Sequence, residues 1–105
     1  MSARQQRVES LLRELTASFI ATEANPNPLI TITRVSVAPE LKNATVYFTT
    51  IPEERENDAL IFLKRSGTAL RDHVKKHSDL RFIPNFRFEV DGSERIRQHF
   101  GPIEQ

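Results

Sequence analysis

The chain contains no cysteine, which excludes disulfide bonds and metal sites with thiolate ligands. It has no apolar run long enough for a transmembrane helix or for the core of a signal peptide. A phosphate-binding loop, a nucleophile motif and paired acids at catalytic spacing are also missing. These absences predict a soluble, cytoplasmic protein that holds no metal or cofactor and is not an enzyme.

Charged residues are plentiful but unevenly distributed along the 105-residue chain, which is long enough for one domain with a modest core. The net charge is only +1, so the molecule as a whole is not a generic binder of polyanions. Residues 53–58 contain four acids and one Arg, whereas residues 64–87 contain seven basic residues and two acids. An electrostatic function therefore belongs to the second segment.

An amphipathic helix is predicted from Ser2 to about Thr22. Ser2 and Gln5 have the spacing of a capping box, in which each side chain bonds the backbone of the other residue. Apolar residues follow at helical spacing, namely Val8, Leu11, Leu12, Leu15 and Phe19. The rest of the surface carries charges of both signs, which is typical of a solvated face.

Two strands joined by a short polar link follow. Residues 29–38 are rich in β-branched side chains, but Ile32 and Val35 fall on opposite faces of a regular strand. Either both faces are partly covered, or a bulge lies near Thr33 and Arg34. Residues 44–49 alternate cleanly between apolar and polar side chains, so the two strands are predicted to pair as an antiparallel hairpin.

A pair of amphipathic helices is predicted next, over residues 58–65 and 68–77. They are separated at Ser66, Gly67 and Thr68, because glycine is unfavourable inside a helix and Ser and Thr tend to cap helices.

The third strand covers residues 86–90, and a last short helix begins at Ser93. The fold class is therefore α+β, with the order α-β-β-α-α-β and the helices packed on one face of a three-stranded sheet. Because two helices intervene, the third strand is predicted to run opposite to the second. The predicted core consists of Val8, Leu12, Leu15, Phe19, Val46, Phe48, Leu60, Leu63, Leu70, Val74, Phe86 and Phe88.

Several motifs occur in a characteristic order and spacing. They are Arg7-Val8, the segment VSVAPELKNATVY at 35–47, Leu70-Arg71, the segment LRFIPNFRF at 80–88, and Asp91-Gly92-Ser93. Together they resemble the ribosome-binding factor A family, bacterial proteins of small-subunit assembly with a type II KH-like fold. The chain departs from the family where Ser66-Gly67-Thr68 replaces the usual Ala-x-Gly, and where Asn85 replaces a commoner Glu. It also lacks the long charged C-terminal tail of many members.

The resemblance implies a ribosome assembly factor with a single KH-like RNA-binding domain over residues 1–105. The implied partners are the immature small (30S) ribosomal subunit with its 16S rRNA, and assembly GTPases. The implied role is late maturation and processing of the rRNA, with importance in cold adaptation. No membrane association and a monomer off the ribosome are expected.

KH domains that grip single strands place a G-x-x-G loop between two helices, and here only Gly67 is present. We therefore expect a charged face to recognise folded RNA through phosphate contacts. The RNA-binding residues predicted on this face are Lys64, Arg65, Arg71, Lys75, Lys76 and Arg81. Arg71 and Lys75 are four residues apart and so share a helix face. The alternative is a merely solvated surface, because Lys and Arg cover helices in most proteins.

Two other patterns permit functional interpretations. His73 and His77 have the i, i+4 spacing that can present two imidazoles to a metal, although a place at the boundary of the core stripe also explains them. Phe82, Phe86 and Phe88 could stack on bases, but strand alternation turns Phe86 and Phe88 inward. A protein-protein adaptor that uses the exposed sheet face is the alternative function, and a small enzyme is a third hypothesis.

Overall fold

The computed structural model describes residues 3–23 and 29–92. The elements in chain order are α1 (Ala3–Glu23), β1 (Leu29–Val37), β2 (Asn43–Ile51), a 3-10 turn (Glu53–Arg55), α2 (Glu56–Arg65), α3 (Gly67–His77) and β3 (Asn85–Val90). The predicted α-β-β-α-α-β order is confirmed. Ser2 of the predicted capping box and the short helix predicted from Ser93 lie outside the described residues.

β1 and β2 form the predicted antiparallel hairpin, and its register contains the bulge. Ile32 lies opposite Phe48 and Val35 lies opposite Val46, with a register shift between Ile32 and Arg34. The extra residue is Thr33, which allows Ile32 and Val35 to face the same side of the sheet. Both are buried, so the change of parity in the sequence marks a bulge rather than two covered faces.

β3 lies beside β2, the central strand, and runs parallel to it. Asn85 pairs with Asn43, and Val90 pairs with Phe48. The prediction that β3 runs opposite to β2 is wrong. It treated α2 and α3 as two separate reversals of the chain direction. Instead, α2 and α3 together form one crossover that returns the chain from the end of β2 to its beginning, as a parallel pair requires.

The predicted break between α2 and α3 lies at Ser66. Its amide donates to the carbonyl oxygen of Phe62 at 3.0 Å, and its own carbonyl accepts from Leu70 at 2.8 Å, so hydrogen bonding continues through the bend. The Ser66 hydroxyl also donates to the Phe62 carbonyl at 2.8 Å. Gly67 has no positive φ and begins α3, so the break does not depend on a left-handed glycine, and Thr68 lies within the helix.

The helices cover one face of the sheet, and a single core lies between the two layers. α1 packs against β1 and α3, while α2 packs against β3. Three members of the predicted core, Leu15, Leu60 and Phe86, are only partly buried and pack against its margin. The buried members are Val8, Leu12, Phe19, Val46, Phe48, Leu63, Leu70, Val74 and Phe88.

Candidate nucleic-acid interface

The six predicted RNA-binding residues are all exposed, and most of them lie where helices end. Lys64 and Arg65 belong to the last turn of α2, and Lys75 and Lys76 belong to the last turn of α3. The negative end of each helix dipole stabilises cations there by about 0.3–1 kcal/mol each. Helix stability therefore explains part of this clustering without any ligand.

Arg71 differs from the other five because its guanidinium holds a loop in place. Its Nη1 donates to the backbone carbonyls of Pro84 at 2.8 Å and Ile83 at 3.2 Å. Asn85 Oδ1 lies 3.5 Å from the same nitrogen. This side chain thus connects α3 to the segment that enters β3, a structural role that helical spacing could not indicate.

Arg81 lies in a groove that brings together three separate segments. The groove has a volume of about 580 Å³ and lies between the start of α1, the hairpin turn and the loop before β3. Arg4 and Lys42 line it together with Arg81, and Glu40 is the one acid among the described residues that line it. The mixed charges of α1 are typical of a solvated face, and nothing in linear spacing connects Arg4 with Arg81.

A second, smaller hollow lies beside the helix break. Its lining residues are Lys64, Gly67, Phe86, Arg87 and Phe88. Two cations therefore border the start of α3 and β3, and no glycine pair is present to form the phosphate-gripping loop of single-strand KH domains. The structure divides the predicted basic residues between this hollow, the α3 terminus and the groove around Arg81.

The open face of the sheet is polar, and its described charges contact other side chains of the same face. The guanidinium of Arg34 lies 3.9 Å from the centre of the Tyr47 ring, a cation–π contact. Arg87 and Glu89 form an ion pair at 3.9 Å. On the same face of β2, Thr45 and Thr49 flank Tyr47. Leu29 and Ile51, which pair at one end of the hairpin, are the large apolar side chains that the described part of this face exposes.

His73 and His77 contact one another at the junction of α1 and α3, with ring centres 4.5 Å apart and ring planes tilted by 47°. The Nε2 atom of His73 lies 3.1 Å from the Ser18 hydroxyl, and its ring contacts Phe19. Burial, followed by the nearby His77, lowers the pKa of His73 below its usual value. Among the described residues no three metal-binding side chains converge. The contacts of His73 with Ser18 and Phe19 show that its ring packs between α1 and α3.

The sequence of the chain is similar to those of known proteins of one family. The sequence model of the family described as ribosome-binding factor A matches residues 4–101. A ribosome-binding factor A from Coxiella burnetii is 32% identical over 95 residues, covering 89% of this chain and 80% of the relative. No described helix is long and apolar enough to cross a bilayer.

Solved structures share the fold. The crystal structure of ribosome-binding factor A from Thermus thermophilus superposes with a TM-score of 0.74 at 23% identity, covering 82% of this chain and 94% of the other. A homology model of the Thermus thermophilus factor, fitted into a cryo-EM map of a 30S complex, gives 0.66 at 19% identity, covering 89% and 97%. The chain therefore has the KH-like α+β fold of these structures.

Proposed function

The chain belongs to the ribosome-binding factor A family, and from this premise we propose that it binds the immature small ribosomal subunit through its 16S rRNA. Its role is to assist late maturation and processing of that RNA in the bacterial cytoplasm, with particular importance in the cold. The protein acts by binding rather than by catalysis, as a monomer off the ribosome, and assembly GTPases are further partners. The observation that carries the proposal is the family match over nearly the whole chain.

The distribution of charge supports RNA as the ligand. Although the net charge is only +1, basic side chains concentrate on α2, α3 and the loop that follows. Helix dipoles account for Lys64, Arg65, Lys75 and Lys76 only in part, and Arg81 lies in a loop. Phosphates attract such exposed cations by releasing condensed counterions, and this attraction requires no particular base sequence.

The mode of binding follows from the break between α2 and α3. With Gly67 alone at that position, the chain cannot bring two glycine backbones close to successive phosphates, as a single-strand KH clamp does. Recognition of a folded RNA surface by separated basic groups suits the observed arrangement better. The groups are the hollow at Lys64, the α3 terminus and the groove at Arg81.

Charge reversal over a salt series tests this proposal. Lys75→Glu should weaken binding to isolated small subunits and reduce the slope of log affinity against log salt by about one, because one phosphate contact is lost. The measurement is equilibrium binding of labelled protein at several salt concentrations. Folding should be unchanged, because exposed charges typically contribute about 0–1 kcal/mol.

Arg13→Glu is the matched control, since Arg13 is also exposed on a helix and the substitution changes the net charge equally. Arg13 lies in a shallow hollow with the acidic Glu9, so its reversal should leave the slope nearly unchanged. Arg4 is unsuitable as a control because it lines the groove with Arg81. If both variants shift binding equally, only the net charge matters and the α3 terminus is merely solvated.

A further inference from the structure

Phe82 is an exposed aromatic side chain that does not belong to the core. It is 79% exposed, more than any other large apolar side chain that the structure describes. Single exposed apolar residues are common on protein surfaces and need no explanation by themselves. Phe82, however, lies in the groove between α1, the hairpin turn and the loop before β3, where three cations surround it.

The loop that carries Phe82 is held at both ends. On its C-terminal side, Arg71 donates to the carbonyls of Ile83 and Pro84, and the Asn85 amide donates to the Lys42 carbonyl at 2.9 Å. Pro84 is fully buried. On the N-terminal side, the Leu80 amide contacts the Ser78 hydroxyl at 3.4 Å. The phenyl ring is therefore presented to solvent by an anchored segment, which limits the conformational entropy that a ligand must remove.

The surroundings of the ring combine apolar and positive groups. Val8, Leu41 and Ile83 contribute apolar lining to the groove. The backbone of Leu41 adopts φ 63°, a left-handed conformation that costs a non-glycine residue about 1–2 kcal/mol. The half-buried side chain of Leu41 packs against the core. Within the described lining, the cations Arg4, Lys42 and Arg81 outnumber the single acid, Glu40.

We propose that Phe82 is a stacking platform for an unpaired nucleobase of RNA, and that Arg4, Lys42 and Arg81 contact the phosphates on either side of that nucleotide. An open aromatic ring accepts the face of any base, and neighbouring cations neutralise the adjoining backbone. The excess of positive charge among the described lining residues favours a polyanion over an apolar polypeptide, and the open aromatic ring favours RNA over an acidic polypeptide. This inference rests on the proposed function and adds one flipped-out nucleotide to the recognition of folded RNA.

The absence of tryptophan from the chain provides a direct test. Phe82→Trp creates a single tryptophan whose ring can still stack, and base stacking should quench its fluorescence. The probe is a twelve-uridine oligoribonucleotide at low salt, followed by isolated small subunits. We expect quenching with both probes, and an affinity equal to or above that of the wild type.

Phe82→Leu keeps an apolar side chain but removes the aromatic face. Loss of one stacked base should lower the affinity for the oligoribonucleotide by about 5-fold to 150-fold. Ile61→Ala is the matched control, because Ile61 is another exposed apolar side chain, lies on α2 and does not line the groove. It should leave RNA affinity unchanged, and both variants should unfold at nearly the wild-type temperature.

The outcomes separate this inference from the proposed function. If Phe82→Leu binds both probes as the wild type does, or if neither probe quenches Phe82→Trp, the stacking inference is overturned. A loss of subunit binding by Phe82→Leu without quenching of Phe82→Trp would place a protein surface in the groove and would also overturn it. Failure of the wild type to bind small subunits contradicts the proposed function, and the oligoribonucleotide then decides the stacking inference alone.

Discussion

At the level of single residues, Arg71 is an exposed basic side chain that also stabilises the fold. Its Nη1 donates to the carbonyls of Ile83 and Pro84. Replacement by Ala should lower the free energy of unfolding by about 1–3 kcal/mol, because two carbonyls lose a charged donor. Arg71→Lys should recover little of this loss, since an ammonium group lacks the guanidinium's planar array of donors. Chemical denaturation measures both values.

Lys75→Ala is the control for Arg71. Lys75 is exposed one turn later on the same helix face, and surface substitutions of this kind usually change stability by no more than about 0.5 kcal/mol. Equal effects of the two substitutions would contradict the tethering role of Arg71. Reversal of the charge at Arg71 is consequently a poor test of RNA binding, because it would also disturb the loop that presents Arg81 and Phe82.

At the level of helices and strands, two substitutions of Gly67 at the junction of α2 and α3 are expected to have opposite effects on stability. Gly67 begins α3 without a positive φ, and an added Cβ would meet no atom within 4 Å. Gly67→Ala should therefore stabilise the fold by about 0.4–1 kcal/mol, because the unfolded chain loses more freedom than the folded one. Thermal unfolding should show a higher melting temperature.

Gly67→Pro should destabilise the same junction. A proline forces the preceding residue towards extended backbone, whereas Ser66 has φ −87° and ψ 2°. The bend would have to open, and the bonds from Ser66 to Phe62 and from Leu70 to Ser66 would be disturbed. A lower melting temperature for Ala, or a higher one for Pro, would mean that the junction has a different backbone conformation.

At the scale of the whole molecule, stability depends on the single core between the sheet and the helices. Phe88 is buried on β3 opposite Val46 of the central strand. Phe88→Ala should cost about 3–5 kcal/mol, a large part of the roughly 5–15 kcal/mol that stabilises a domain. Urea denaturation measures the loss.

Phe86 provides the comparison within the same strand. It points to the same face as Phe88 but lies at the margin of the core, beside the hollow at Lys64. Phe86→Ala should therefore cost clearly less than Phe88→Ala, because less apolar surface returns to water and the remaining space opens to solvent. Equal costs would show that the core extends further towards the helix break than the burial of Phe86 indicates.

The helices, the strands and their inward faces could be predicted from the sequence, because they depend on spacing within short segments. The alternation of Val46 and Phe48 and the helical stripe from Val8 to Phe19 each identify one side of one element. Even the bulge at Thr33 was detectable, since the apolar side chains change parity across it. The family motifs, read in order, led to the KH-like fold.

Features that depend on the packing of distant segments could not be predicted in this way and are visible only in the folded chain. The direction of β3 follows from α2 and α3 acting as one crossover, which the local pattern of either helix does not contain. Likewise, the tether formed by Arg71 and the groove shared by Arg4, Lys42, Arg81 and Phe82 exist because the loop before β3 returns to the hairpin turn. The periodicity of apolar residues indicates which face of a helix or strand is buried, whereas a binding surface forms where several elements meet.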